Sequence, residues 1–288
     1  MDLLINKTVS AQLEQFIKSQ AHALLISGPN GAGKKFVALN LAGRLLDVKL
    51  DKLIINPGFM RLRGGENSLG IDAVRDLRHF LQLKTSGKAT IRRVIVIENS
   101  ESMTIEAQNA LLKILEEPPL DTRIILTENG ERGLRSTIYS RVQHARLLAP
   151  SKTELIDFFS KQGITNQEIV RAYHVSSGQI GLMHSLLTQN TENILNQHVN
   201  LAKKLLGSTT YQRLIEVDSL VGKKEELTSL FYALKQVSRA ALIQSIEKGD
   251  LTLSKRWHLR MQELFKAETS LKHKPNIKLL LSSLMVSL

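Results

Sequence analysis

Three short runs of consecutive apolar residues, HALLIS (22 to 27), RRVIVIE (92 to 98) and TRIILTE (122 to 128), punctuate the first half of the chain. Runs of this length, rich in Ile, Val and Leu and bounded by polar residues, predict strands buried on both faces. Between them the period changes. KKFVALNLAGRLL (34 to 46), IDAVRDLRHFLQL (71 to 83) and TIEAQNALLKILEE (104 to 117) place apolar residues three and four apart, the spacing of a helix face. In the second of these Val74, Leu77 and Leu81 share a face and Asp72 is the predicted N-cap; Pro118 and Pro119 end the third. Strands alternating with helices predict an α/β domain with a parallel sheet. After LLAPSKTE (147 to 154) the strand signal stops and the pattern is helical to the end, interrupted at LLGSTTYQ (205 to 212). The reading is thus α/β over 1–150, followed by all-α parts over 151–206 and 207–288.

Composition narrows the chemistry. With 42% hydrophobic and 23% charged residues in 288, the chain has enough apolar material for a sizeable core. No apolar run reaches the roughly 18 residues that span a bilayer, and MDLLINKTVS lacks the features of a signal peptide, so the expected address is the cytoplasm, away from membranes. The sequence contains no cysteine, which excludes disulfides and thiolate metal sites, and its eight histidines form no ligand-like cluster; no bound metal is expected. The formal charge of +12 divides into +6 for 1–150, −1 for 151–200 and +7 for 201–288. Such an excess suits a polyanionic partner and equally suits a surface of solvated lysines.

The most specific motif is SGPNGAGKK (27 to 35). Gly28, Pro29, Asn30, Gly31, Gly33 and Lys34 fit the phosphate-loop pattern, in which backbone N–H groups wrap a phosphate and the lysine neutralises it. A predicted strand leads in and an amphipathic helix leads out. A glycine-rich turn without ligand is the plain alternative. The next position normally supplies a hydroxyl to Mg²⁺, but here it is Lys35, whose ammonium about 4 Å from the ion would meet on the order of 8 kcal/mol of repulsion at an effective dielectric near 20. After RRVIVIE an ATPase needs one carboxylate for the Mg²⁺ and another to activate water. The chain offers Glu98 and Asn99, and an amide takes no proton; losing a general base removes about 10²- to 10⁴-fold of rate. Two lesions in one site predict a domain that does not hydrolyse its own nucleotide.

The order SGPNGAGKK, GIDAVRDLRHFL, RRVIVIENSESMTIEAQNALLKILEEPP, STIYSRVQ and LKHKPNIKLLLSSLMVSL resembles bacterial clamp loader subunits of the AAA+ class, specifically the delta-prime family of DNA polymerase III. The resemblance implies a phosphate-loop α/β domain, a small helical lid and a helical collar for assembly. It implies a hetero-pentamer with motor subunits and a clamp-opening subunit, acting with a sliding clamp on primer-template DNA. It makes Arg141, in Ser140, Arg141 and Val142, an arginine finger for a neighbour's ATP, although the family's cysteine is replaced by valine. Asn129 matches the position whose amide orients water or the γ-phosphate. ATP or ADP could be held without hydrolysis. Two departures stand out: SSGQIGLMHSLL (176 to 187) supplies no lid arginine, and the family's four-cysteine zinc module is missing, so residues 44 to 68 must fold without zinc.

On 71 to 83, Arg75, Arg78, His79 and Gln82 form a polar stripe that the resemblance turns toward DNA, where arginines would contact phosphates without reading sequence; Lys88, Arg92 and Arg93 extend it. A solvated helix face explains the stripe equally well. The C-terminal Leu279, Leu280, Leu281, Leu284 and Met285 are expected to pack in a bundle, as is Trp257. Two other functions remain open. One is a competent ATPase motor in which Glu98 serves the metal, and the other a free-standing nucleic-acid-binding protein with a vestigial loop.

Overall fold

The computed structural model describes all residues except 1–3, 65–67, 86–88, 131–132, 189–193, 222–223, 272 and 274; Lys88 therefore lies outside the described residues. The chain divides into two units, Met1–Pro150 and Ser151–Leu288.

The first unit is a five-stranded parallel sheet between helices. Its elements are α1 (Lys7–Lys18), β1 (Ala23–Ser27), α2 (Lys34–Leu46), α3 (Leu50–Leu53), β2 (Phe59–Arg63), α4 (Ile71–Gln82), β3 (Arg93–Glu98), α5 (Ile105–Glu116), β4 (Thr122–Glu128), α6 (Ser136–Tyr139) and β5 (Gln143–Arg146). The strand order is β2-β3-β4-β1-β5. The three apolar runs are the central strands β1, β3 and β4. Alternation along each strand splits their side chains between two cores. Leu24, Ile26, Val94, Val96 and Ile125 meet Phe16, Val37 and Leu41 on one side, and Leu25, Ile95, Ile97, Ile124 and Leu126 meet Val74, Leu77, Leu111 and Leu115 on the other. Each such buried Leu, Ile or Phe stabilises the fold by about 1.5–3 kcal/mol.

The edge strands β2 and β5, FMRLR and QHAR, carry no apolar run: each is paired on one side only, and charged or polar residues interrupt both. Periodicity therefore missed them. The segment expected to lack a zinc module contributes α3 and β2 directly to the unit, burying Leu53 and Phe59 against the same core as α2. Asp72 is not the cap of α4: Gly70 holds that position without a side-chain bond, and Asp72 sits in the first turn. Thr104 caps α5 by accepting from the Ala107 N–H.

The second unit is all helical: α7 (Lys152–Ser160), α8 (Asn166–Ser176), α9 (Ile180–Leu187), α10 (Ile194–Gly207), α11 (Thr210–Val221), α12 (Lys224–Glu247), α13 (Leu251–Leu271) and α14 (Ile277–Ser287). Capping boxes start α7 at Ser151 and Glu154 and α8 at Thr165 and Glu168. One core gathers Leu182, Val199, Leu205, Phe231, Leu234, Leu264 and Met285. On α14, Leu281, Leu284 and Met285 share the buried stripe, whereas Leu279 falls on the other face and is 70% exposed, against the expectation from sequence. Trp257 packs partly buried at this core, with the Arg260 guanidinium 4.7 Å from its ring centre. Among the described residues no helix is long and apolar enough to cross a membrane.

Candidate nucleotide loop and arginine finger

The loop 28–33 joins β1 to α2 at the carboxyl end of the sheet. Gly31 and Gly33 have φ of 82° and 86°, a region open to glycine and costly for side chains. Gly33 is the N-cap of α2 and offers no side-chain cap, so the first N–H groups of a 13-residue helix face the loop. That donor set suits an anion. Lys34 is only 7% exposed, and its ammonium donates to the carbonyls of Gly28 at 2.9 Å and Pro29 at 2.7 Å. Burial holds its pKa down to about 8, against the opposing pull of Glu101.

The acidic strand end departs from what a metal site requires. Glu98 is buried, and its Oε1 accepts from Nε of Arg61 on the edge strand at 2.7 Å, with Nη2 also 2.7 Å away. Arg61 is itself 11% exposed, so the pair is a buried salt bridge. The carboxylate expected to reach Mg²⁺ is already neutralised. Asn99 has become a structural hinge. It adopts a left-handed φ of 50°, its N–H donates to Thr127 Oγ1 at 3.0 Å, and its side-chain amide donates to the Gly64 carbonyl at 2.9 Å. Lys35 is exposed; its pKa lies below the usual lysine range through desolvation first, then through the nearby cations Arg61 and Arg63, with Glu98 opposing.

The carboxylate that faces Lys34 is Glu101, which sequence reasoning passed over. Burial raises its pKa, and the Asn129 amide, which donates to its Oε1, and the Lys34 charge pull the other way. Its position three residues beyond Glu98 was a visible signal, but which acid turns toward the loop depends on the 3-10 turn Ser100–Ser102. The donor set thus fits a phosphate group. It does not fit a magnesium ion, because the hydroxyl is replaced by Lys35 and Glu98 is held by Arg61.

Arg141 lies at the opposite end of the sheet. It follows α6 and precedes β5, whose Gln143 pairs with Leu24, four residues before Gly28. At about 3.3 Å per residue the loop is roughly 13 Å farther along the sheet, beyond the reach of an arginine side chain. The turn carrying Arg141 is well anchored. Ile138 and Val142 are buried, and the Tyr139 hydroxyl donates to the buried Glu128 carboxylate, which also accepts from the Gly133 N–H at 2.8 Å. The valine in place of cysteine is therefore a core contact. Arg141 Nη1 donates to the Thr137 carbonyl at 2.9 Å, and Nη2 lies 2.8 Å from Glu116 Oε1 at the end of α5; the two side chains are 36% and 48% exposed.

The basic residues expected at DNA separate. Arg75 is exposed and paired with Asp72 at 2.6 Å. Arg78 is partly buried and donates to the Ala110 carbonyl at 3.3 Å, tying α4 to α5. Arg93 is corrected to a structural residue: only 8% exposed, it grips both oxygens of Asp121 at 3.0 and 3.2 Å and donates to the Leu81 carbonyl. Arg92 shares Asp121, with Nε 3.1 Å from its carboxylate. Burial would raise the Asp121 pKa, but bonds from Arg93 and Thr85 outweigh it and hold it low.

Residues 5–151 match the family described as "DNA polymerase III, delta subunit". The chain is 28% identical over 173 residues to DNA polymerase III subunit delta' of Haemophilus influenzae, spanning 55% of this chain and 52% of that protein. It is 35% identical over 142 residues to the subunit of the same name from Pseudomonas aeruginosa, 43% of each. These curated relatives are therefore matched over about half their length. Replication factor C small subunit of Aeropyrum pernix is 25% identical over 242 residues, 81% of this chain and 68% of that one. Among solved structures, a DNA polymerase III gamma subunit-related protein of Thermotoga maritima superposes with a TM-score of 0.53 at 19% identity, covering 96% of this chain and 97% of that one, a likeness of fold.

Proposed function

The chain belongs to the DNA polymerase III delta-subunit family, and from that premise we propose that it is a delta-prime-like clamp loader subunit that does not hydrolyse nucleotide itself. It holds motor subunits and a clamp-opening subunit in a hetero-pentamer, and donates Arg141 to the ATP of an adjacent motor while a sliding clamp is placed on primer-template DNA. The observation that carries this reading is the position of Arg141: fixed on an anchored turn, half-exposed, and too far along the sheet to serve its own loop. A guanidinium presented there is out of reach of its own loop and placed to meet another molecule. Its planar fork suits the charge that builds on a γ-phosphate, and a finger supplied in trans contributes about 10³–10⁵ in rate. The exposed pair with Glu116 holds it weakly, by about 0–1 kcal/mol, so a phosphate can take the carboxylate's place.

The chain's own residues speak against the motor alternative. Asn99 accepts no proton and is committed to the Gly64 carbonyl, and Glu98 is paired with Arg61. A bound nucleotide's phosphates would lie on the α2 N-terminus, held by Lys34 and the loop N–H groups, and the nearby Glu101 carboxylate is engaged by Asn129 and Lys34. Of the DNA candidates, Arg75 is the best placed, since its partner Asp72 is exposed and exchangeable. One true phosphate contact there contributes about 0.9 to the salt slope on duplex DNA.

The deciding experiment assembles the loader with the other motor sites silenced and measures DNA- and clamp-stimulated ATP turnover at the adjacent motor. Arg141→Ala lowers that rate on the order of 10³-fold. An unchanged rate, or steady turnover by the isolated chain that Lys34→Ala abolishes, overturns the reading.

A further inference from the structure

The surroundings of the phosphate loop carry charge in an unusual arrangement. Among the described residues, Lys34, Lys35, Arg61 and Arg63 lie around the loop with two carboxylates, Glu98 and Glu101, an excess of two positive charges. Two elements remote in sequence create it. The loop brings Lys34 and Lys35, and edge strand β2 brings Arg61 and Arg63, whose register partner on β3 is Glu98. In an ordinary phosphate loop the second and third charges come with a divalent cation held by a hydroxyl and an acid. Here the hydroxyl's position is an ammonium and the acid is bonded to a guanidinium at 2.7 Å. The hydroxyl's position and the strand-end acid are thus each taken by a cation of the protein.

We propose that Arg61 and Lys35 stand in for the divalent cation, so that the loop takes the polyphosphate of a nucleotide without metal. The inference rests on the non-hydrolysing reading above only in treating the loop as a binding site. A metal-free complex is also a reason for catalytic silence: no ion is present to orient water, and the charge that holds the phosphates is fixed in the fold. Arg61 is here a binding residue supplied by the segment in which the family's zinc module is absent. Lys34 adds an independent signature. Because its pKa sits near 8 in the free protein, phosphate binding must keep it protonated, and affinity falls as pH rises above 8.

The test uses the full chain and N-methylanthraniloyl-ATP, read by fluorescence anisotropy in EDTA and in excess Mg²⁺. The wild type is expected to bind equally in both, within about twofold. Lys35→Thr, at an exposed position that leaves the fold intact, restores the hydroxyl; its affinity in EDTA drops about tenfold and Mg²⁺ recovers it. Arg61→Met shifts in the same direction, with circular dichroism as the check on folding. Wild-type binding that tightens tenfold or more with Mg²⁺, a Lys35→Thr variant unchanged in EDTA, or no binding under either condition overturns the proposal. Absence of binding leaves the finger role of Arg141 standing, whereas Mg²⁺-dependent binding with turnover removes both readings.

Discussion

The two ends of the parallel sheet each hold an arginine paired with a glutamate, and the pairs differ in burial. At the carboxyl end Arg61 and Glu98 are 11% and 10% exposed; at the amino end Arg141 and Glu116 are 36% and 48% exposed. Removing two charges from water is costly, so a buried pair persists only when each partner compensates the other, and it does not open for a passing ligand. An exposed pair is screened and exchanges readily. The same chemistry therefore holds one guanidinium on its carboxylate and lets the other change partners. At the loop end burial fixes the guanidinium on its carboxylate, and at the other end the guanidinium can change partners.

Three measurements break or sharpen this contrast. The largest effect is expected at the buried pair. Arg61→Ala leaves Glu98 buried and uncompensated and lowers stability by about 3–5 kcal/mol in urea unfolding, while the double replacement Arg61→Met with Glu98→Leu restores most of that loss. A double replacement as damaging as the single one would mean that the pair contributes more than mutual compensation.

The next effect is a pH dependence confined to the loop end. The folded Lys34 value near 8 lies below its unfolded value of about 10.4, so below pH 8 both states carry the proton and the cost of burying it is fully present. Between pH 8 and about 10.4 the unfolded chain alone binds the proton. Stability relative to Lys34→Met therefore rises across that window, by up to about 3 kcal/mol, measured as the difference in urea midpoints. A flat difference would show the ammonium to be better solvated than its burial indicates.

The smallest effect is at the exposed pair. Glu116→Gln changes stability by less than about 1 kcal/mol, and raising salt erases the difference. A loss as large as that at Arg61 would erase the contrast between the two ends and argue that Arg141 is held too tightly to be handed over.

Much of this was readable before any coordinates. The three apolar runs are the three central strands, because a strand buried on both faces writes its burial into consecutive residues. SGPNGAGKK between a strand and a helix placed the loop, and the missing hydroxyl and missing second carboxylate were visible in Lys35 and Asn99. What escaped were positions whose role depends on a partner far along the chain. Arg93 looked like one more surface cation; its bond to Asp121, 28 residues on, makes it structural. Leu279 looked like core, yet it falls off the stripe of Leu281, Leu284 and Met285.

The sequence by itself determined the local elements, the lack of thiols and the loop with its missing hydroxyl, since each depends on neighbours within a few residues. Tertiary structure alone decided that Arg61 captures Glu98 across 37 positions, that Glu101 turns toward Lys34, and that Arg141 lies at the other end of the sheet from the loop. Those outcomes follow from strand order and register, which bring distant residues together, and no period in the chain records them.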